Sequence, residues 1–418
     1  LGFPLSDLRA WLGEHLSSIR ALPPRLSAAT VFYVLHLLLQ GKIALSELMA
    51  FWAIFYLLWA MVREGVRPSF HILYYPLALY GLVSTVSAFV APVRIHGAGE
   101  AMLWFKMLIF PTALILYRRL PPLRRLAIGA YALFSIGIAV WGLFEFVVLD
   151  QRDLDHRITG PSTHVMTFSG LLLPLSLMLL LLWWYERRGW QIVGTVVVSL
   201  ALLLTFTRSV WLGWAAAFVA IVLLTRMRMR VWIWVAPAIL IFITFMPMNL
   251  FSRLMSTFDT RQSSNFDRIR MVEAGVEMIK DFPVLGVGPA NVKEMYTLYR
   301  KPDAPRPRPP HLHNNVIQLW AERGILGLAA YVLLLTLFLR ACARAWQGQA
   351  RMWSAIGVAT VVSLTVAGLF EFNFGDTEVF YLMLNLFALV LASIEGDGEG
   401  AGTGVPNEPA PSLVPAPA

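Results

Sequence analysis

Residues 163–185 read THVMTFSGLLLPLSLMLLLLWWY, without a single Asp, Glu, Lys or Arg. As a helix this stretch is roughly 34 Å long at about 1.5 Å per residue, enough to cross ~30 Å of hydrocarbon. A short turn holding Arg187 and Arg188 separates it from a second apolar run, WQIVGTVVVSLALLLTF at 190–206. Working outward, similar stretches fall at about 26–41, 43–62, 69–92, 101–117, 126–149, 209–225, 231–250, 316–340, 352–371 and 378–394. The expected fold is therefore an all-α polytopic membrane protein with twelve transmembrane helices. The first stretch is the weakest, being short and carrying His36; with no small-residue cleavage site before Lys42 it reads as an uncleaved span.

Composition agrees. Of 418 residues, 58% are hydrophobic and 14% charged, against about 45–50% and about 25% in soluble domains. A soluble enzyme, a disordered chain and a disulfide scaffold are excluded, and the lone Cys342 has no partner for an internal bridge. The net charge of +9 invites a nucleic-acid reading until the positions are examined. Alternate loops hold Arg63 and Arg67; Arg118, Arg119, Arg124 and Arg125; Arg187 and Arg188; Arg226, Arg228 and Arg230; and Arg340, Arg344 and Arg351. The N-terminal segment adds Arg9, Arg20 and Arg25. Positive residues stay cytoplasmic, so both termini are expected there and the basic excess is largely a topology signal. The resulting plan is a cytoplasmic segment 1–25, spans one to nine within 26–250, an outer loop 251–315, spans ten to twelve within 316–395, and a disordered cytoplasmic tail 396–418 rich in glycine, proline and alanine.

Chemistry is expected on the outer face. The loop 251–315 carries ten Lys or Arg against seven acids. Its segment RIRMVEAGVEMIKD at 268–281 predicts an amphipathic helix with Ile269, Val272, Val276 and Ile279 on one face. Arg268 and Arg270 open that helix, where cations oppose the macrodipole unless an anion binds. Arg208, in TFTRSVW between two short spans, sits where a guanidinium either snorkels or forks onto phosphate oxygens. In HLHNNVIQLWAERGILG at 311–327, His311 and His313 fall in a helix's first turn, and Asn314, Gln318 and Glu322 form a polar stripe. The helix dipole there favours the neutral imidazole that a general base requires. A metal reading of His-x-His lacks a Cys or nearby carboxylate, so no metal is expected; Asp153 and Asp155 form a weak alternative chelating pair.

Taken together, these motifs resemble the bacterial O-antigen ligase and polymerase superfamily of membrane glycosyltransferases. The resemblance rests on Gly286-Val287-Gly288, on His313-Asn314, and on Glu322-Arg323-Gly324-Ile325-Leu326-Gly327 entering a span. It also rests on the arginine-led helix at Arg268, the turn at Arg208, and Arg157-Ile158-Thr159-Gly160 followed by His164, where relatives carry Asn. The resemblance implies a GT-C-like helical fold in the bacterial inner membrane, with its site facing the periplasm and no cofactor. It implies a donor glycan on undecaprenyl pyrophosphate and, for a ligase, a lipid A-core acceptor. A single long outer loop between spans nine and ten favours a ligase over a polymerase or a protein O-oligosaccharyltransferase.

Pyrophosphate is a good leaving group, so the residues suit a metal-independent, inverting transfer. Arg208 and Arg268 are expected to stabilise the developing charge, and His313 to deprotonate the acceptor hydroxyl. Arg270, Arg157 and Asn314 are placed as substrate-binding residues. A transporter of lipid-linked sugars is the competing class, but it calls for charge at mid-membrane, and here the notable residues gather at one face.

Overall fold

A computed structural model describes residues 13, 17–92, 97–150, 156–225, 262–348 and 350–402. Helices account for nearly all regular structure, and there is no strand of any length among the described residues. We number them α1 (Pro24–Leu38), α2 (Ile43–Arg63), α3 (Tyr74–Val90), α4 (Gly97–Met107), α5 (Ile109–Arg119), α6 (Pro121–Val148) and α7 (Val165–Glu186). There follow α8 (Gly189–Leu204), α9 (Arg208–Thr225), α10 (Ser263–Asp281), α11 (Val292–Tyr299), α12 (Asn315–Arg344), α13 (Ala350–Ala367) and α14 (Thr377–Gly402).

Seven of these are long and apolar enough to cross a membrane: α2, α6, α7, α9, α12, α13 and the first 20 residues of α14. The protein is a multi-pass membrane protein. The expected count of twelve is not reproduced in full, for identifiable reasons. At 17 and 16 residues, α3 and α8 are shorter apolar helices. The 26–41 stretch yields only the 15-residue α1. Its His36 is buried, with Nδ1 at 3.0 Å from the Ser46 carbonyl oxygen and Nε2 at 3.0 Å from Asn385 Nδ2, so the residue that weakened the stretch is part of its packing. The 101–117 stretch is broken at Leu108 into α4 and α5. Pro111, in the first turn of α5, lacks the N–H that would bond the carbonyl of Met107 and continue one helix. The 231–250 stretch and the cations Arg226, Arg228 and Arg230 lie outside the described residues. So do Arg9 and most of the 1–25 segment. At the other end α14 runs past residue 396 to Gly402, beyond the expected limit of order, and 403–418 are not described.

Burial follows composition. α7 is apolar on every side and is enclosed on nearly every side, as such a helix must be. It packs on α8 and α13, and α13 in turn on α9 and α14. By contrast α2 leaves Leu48, Phe51, Phe55, Leu58 and Val62 exposed, an apolar surface suited to lipid. The basic loops gather at one end. Arg118 makes two bonds of 2.7 Å to the Glu395 carboxylate, Arg119 donates to the Arg67 carbonyl, and Arg351 to that of Thr225. The N-termini of α9, α12 and α14 and the C-terminus of α13 meet at the opposite end, beneath α10 and α11.

Candidate functional site

At that second end a small core of its own holds α10 and α11 down, built from Met271, Ala274, Met278, Val287, Val292, Tyr296 and Leu312. The buried face of α10 is Met271, Ala274, Gly275, Met278 and Ile279, whereas Ile269 and Val276 are exposed. The stripe expected from the sequence is thus rotated. Ala274 and Gly275 let the helix lie against α12, since a Cβ on Gly275 would stand 2.4 Å from Ile317 Cγ2. Small residues settle the approach here, and Ile269 and Val272 are left to line a cavity.

The helix also starts earlier than the sequence suggests. Gln262 is its N-cap and Ser263 its first residue, so Arg268 lies in the second turn and Arg270 opens the third, clear of the positive dipole end. Polar Ser263, Ser264 and Asn265 suit the start better than the arginines do. Their neighbourhood belongs to Arg208, the first residue of α9, which is 5% exposed. It donates to Gln262 Oε1 at 2.6 Å, Ser264 Oγ at 3.1 Å and Asn265 Oδ1 at 2.7 Å. These three acceptors are neutral oxygens that orient the guanidinium.

The glycine motifs prove to be a joint. Val287 N–H donates to the Ala321 carbonyl at 2.8 Å and Gly288 N–H to that of Glu322 at 2.9 Å. A Cβ on Gly324, whose φ is +65°, would lie 1.9 Å from the Val284 carbonyl oxygen, so the two segments can meet only without side chains. The polar stripe completes the joint. Gln318 donates to Glu322 Oε1 at 2.8 Å, Ala290 N–H to the same oxygen at 3.0 Å, and Arg323 pairs with Oε2. Glu322 therefore braces this loop and pairs with Arg323.

His313 stands just before α12 with φ +51°, a left-handed conformation that costs a non-glycine residue about 1–2 kcal/mol. Asn314 follows as the N-cap, accepting from Ile317 N–H at 3.0 Å and donating to the Leu369 carbonyl at 2.9 Å. Both ends of its amide thus take part in holding the start of α12. Asn315 N–H donates to the Gly368 carbonyl at 2.7 Å, tying the start of α12 to the turn between α13 and α14. That turn delivers Glu371, whose Oε2 lies 2.9 Å from His313 Nδ1 and whose Oε1 lies 3.5 Å from His311 Nε2. Arg268 Nη2 approaches the same carboxylate at 3.9 Å. Burial alone would raise the Glu371 carboxyl, but His313, His311 and Arg268 together hold it down at about 2. Burial lowers His311 to about 4, against the pull of Glu371, so its imidazole is neutral at neutral pH.

Glu371 is a candidate site residue that the sequence reading does not single out. It falls at the end of the apolar 352–371 stretch, where FEFNFGDTE at 370–378 sets three acids between two apolar runs. The expectation that no close carboxylate completes a set with His311 and His313 is corrected: Glu371 does, from 58 residues away.

Two cavities flank the cluster. One, about 390 Å³, is lined by Arg208, Arg268, His313 and the acid Glu273, together with apolar Leu212, Ile269 and Val272. The other, about 550 Å³, is lined by His311, Glu371, His164, Lys106 and Asp376. Arg208, Arg268 and His313 therefore converge as the sequence suggests. Arg270 does not join them; it binds Glu273 at 2.6 Å and also Asp303. Arg157 lines neither cavity. In its segment, Thr159 and Gly160 N–H groups donate to Glu145, which fixes that turn. His164 caps α7 by accepting from Met166 N–H at 3.3 Å, a task that Asn performs equally well. Asp153 and Asp155 lie outside the described residues.

Residues 193–332, which supply Arg208, Arg268 and His313, match the family model described as O-Antigen ligase. That segment is similar to the O-antigen ligase superfamily. The match spans 140 of the 418 residues, takes in the glycine joint as well, and leaves Glu371 outside. No curated protein matches the chain. The superfamily is one of glycosyltransferase-like membrane enzymes that use lipid-linked polysaccharides.

Proposed function

We propose that the protein is an O-antigen ligase, moving a polysaccharide from undecaprenyl pyrophosphate to the lipid A-core oligosaccharide at the periplasmic face of the inner membrane. The observation that carries this reading is the 390 Å³ cavity in which two arginines and His313 converge beside an apolar wall. Such a cavity suits a ligand with an anionic head and a hydrocarbon tail.

In this reading the polyprenyl chain lies along Leu212, Ile269 and Val272, and the pyrophosphate meets Arg208 and Arg268. Glu371 accepts the His313 Nδ1 proton in a hydrogen bond, which leaves the Nε2 lone pair for the acceptor hydroxyl. As the acceptor hydroxyl's own proton passes to Nε2, the hydroxyl oxygen forms its bond to the anomeric carbon. The bond from that carbon to the pyrophosphate oxygen breaks, and its electron pair departs with the pyrophosphate. The two guanidiniums stabilise the charge that develops on the leaving oxygens. Attack opposite the leaving group inverts the anomeric carbon, and charge stabilisation comes from the arginines without a metal. Glu371 acts through His313 and is a positioning residue.

Deleting the gene and examining the lipopolysaccharide ladder tests the assignment. A ligase predicts bare core beside accumulating undecaprenyl-linked long chains. Core bearing a single repeat would instead assign polymerase activity, and an unchanged ladder would remove both.

A further inference from the structure

We propose that His311, His313 and Glu371 form a zinc site which, when filled, switches the transferase off. The off-switch rests on the reading of His313 as the base; the binding site itself does not.

The three side chains come from two segments that the joint at Asn315 and Gly368 holds together, so the cluster is built by the fold. Their candidate ligand atoms all lie within 4.8 Å of one another. Two of the separations are 2.9 Å and 3.5 Å. A tetrahedral ion with bonds of ~2.0–2.1 Å separates its ligands by about 3.3 Å, so side-chain rotation alone can close the set. Donor chemistry selects the ion. Two imidazole nitrogens and one carboxylate oxygen suit zinc and its borderline neighbours. Calcium requires six to eight oxygens and magnesium an octahedral oxygen shell, and this cluster supplies neither. Arg268, 3.9 Å from Glu371, opposes the ion and must swing away from the carboxylate, which keeps the site reversible.

The consequence for the base follows from the tautomer. With zinc on Nδ1, a neutral His313 carries its proton on Nε2, the atom that must receive one from the acceptor hydroxyl. Zinc simultaneously removes Glu371 as the hydrogen-bond partner of the ring. The same ion that the three residues chelate therefore leaves the cavity without a base.

The test uses tag-free, full-length protein in detergent, stripped with a chelator. Cobalt(II) is titrated in and its visible absorption followed, then displaced with zinc. One equivalent with a tetrahedral spectrum is expected, and His311→Ala and Glu371→Gln should each weaken it at least tenfold. No absorption, or binding unchanged in both variants, would overturn the site. A transfer assay then compares each protein with its own zinc-free rate. Zinc should inhibit the wild type reversibly, and His311→Ala should need at least tenfold more zinc for the same fractional loss. Zinc bound at the trio without inhibition would sink the role of His313 as base and leave the site standing. Transfer abolished by chelation and restored by zinc would overturn the switch.

Discussion

The two flanks of α10 carry arginines two residues apart and put them to opposite uses. On the cavity flank, Arg268 faces Glu371, His313 and the clamp around Arg208. On the loop flank, Arg270 is engaged by Glu273 and Asp303, and its guanidinium is raised above its ordinary range mainly by the Glu273 hydrogen bond. Other loop cations behave like Arg270: Lys301 pairs with Glu273, Arg306 with Asp267, Lys280 with Glu277, and Arg308 with Glu294. The difference teaches that local charge density is a poor guide to an anion site. What matters is which cations the fold turns away from the loop's own acids.

Five substitutions test this contrast, from the largest expected effect to the smallest. His313→Ala removes the base and should lower transfer by about 10²–10⁴-fold with normal protein levels; robust residual ligation would detach the cavity from the chemistry. Arg268→Ala and Arg208→Lys should each cost roughly 10²–10³-fold, the lysine failing because it cannot reproduce the fork that reaches Gln262, Ser264 and Asn265. Glu371→Gln should take about ten- to hundredfold, a share of the base's contribution. That loss should fall on kcat with KM nearly unchanged; a loss confined to KM would make Glu371 a binding group. Arg270→Ala should leave transfer within about twofold, as expected of an exposed ion pair. Equal losses at Arg268 and Arg270 would break the distinction between the flanks.

Legibility in the sequence followed the range of the interactions. Apolar runs read well where one helix satisfies itself, as in α7, and badly where a proline or a turn intervenes, as at Pro111. Arg208, Arg268 and His313 stood out because each is an unusual residue for its local setting. Arg270 stood out for the same reason and proved to be occupied, since its partner Asp303 lies 33 residues away. Asn314 serves as the N-cap of α12, a role that its place before an apolar helix allows one to foresee. The Gly-x-Gly and Glu-x-Gly-x-x-Gly motifs were recognisable as patterns, but their reason, two backbones in contact, is visible only when both are in place.

The sequence by itself determined that this chain is helical and crosses a membrane, because hydrophobic length is a property of consecutive residues. It also determined which end is rich in unpaired-looking arginine and which stretch carries the superfamily motifs. Tertiary structure alone decided that Glu371 stands beside His313, that α10 turns Arg268 inward and Arg270 outward, and that small residues set the face on which α10 packs. These are outcomes of close approach between distant segments. A carboxylate at 2.9 Å and a helix face chosen by two small side chains depend on separations in space, and the order of residues along the chain does not specify them until the chain has folded.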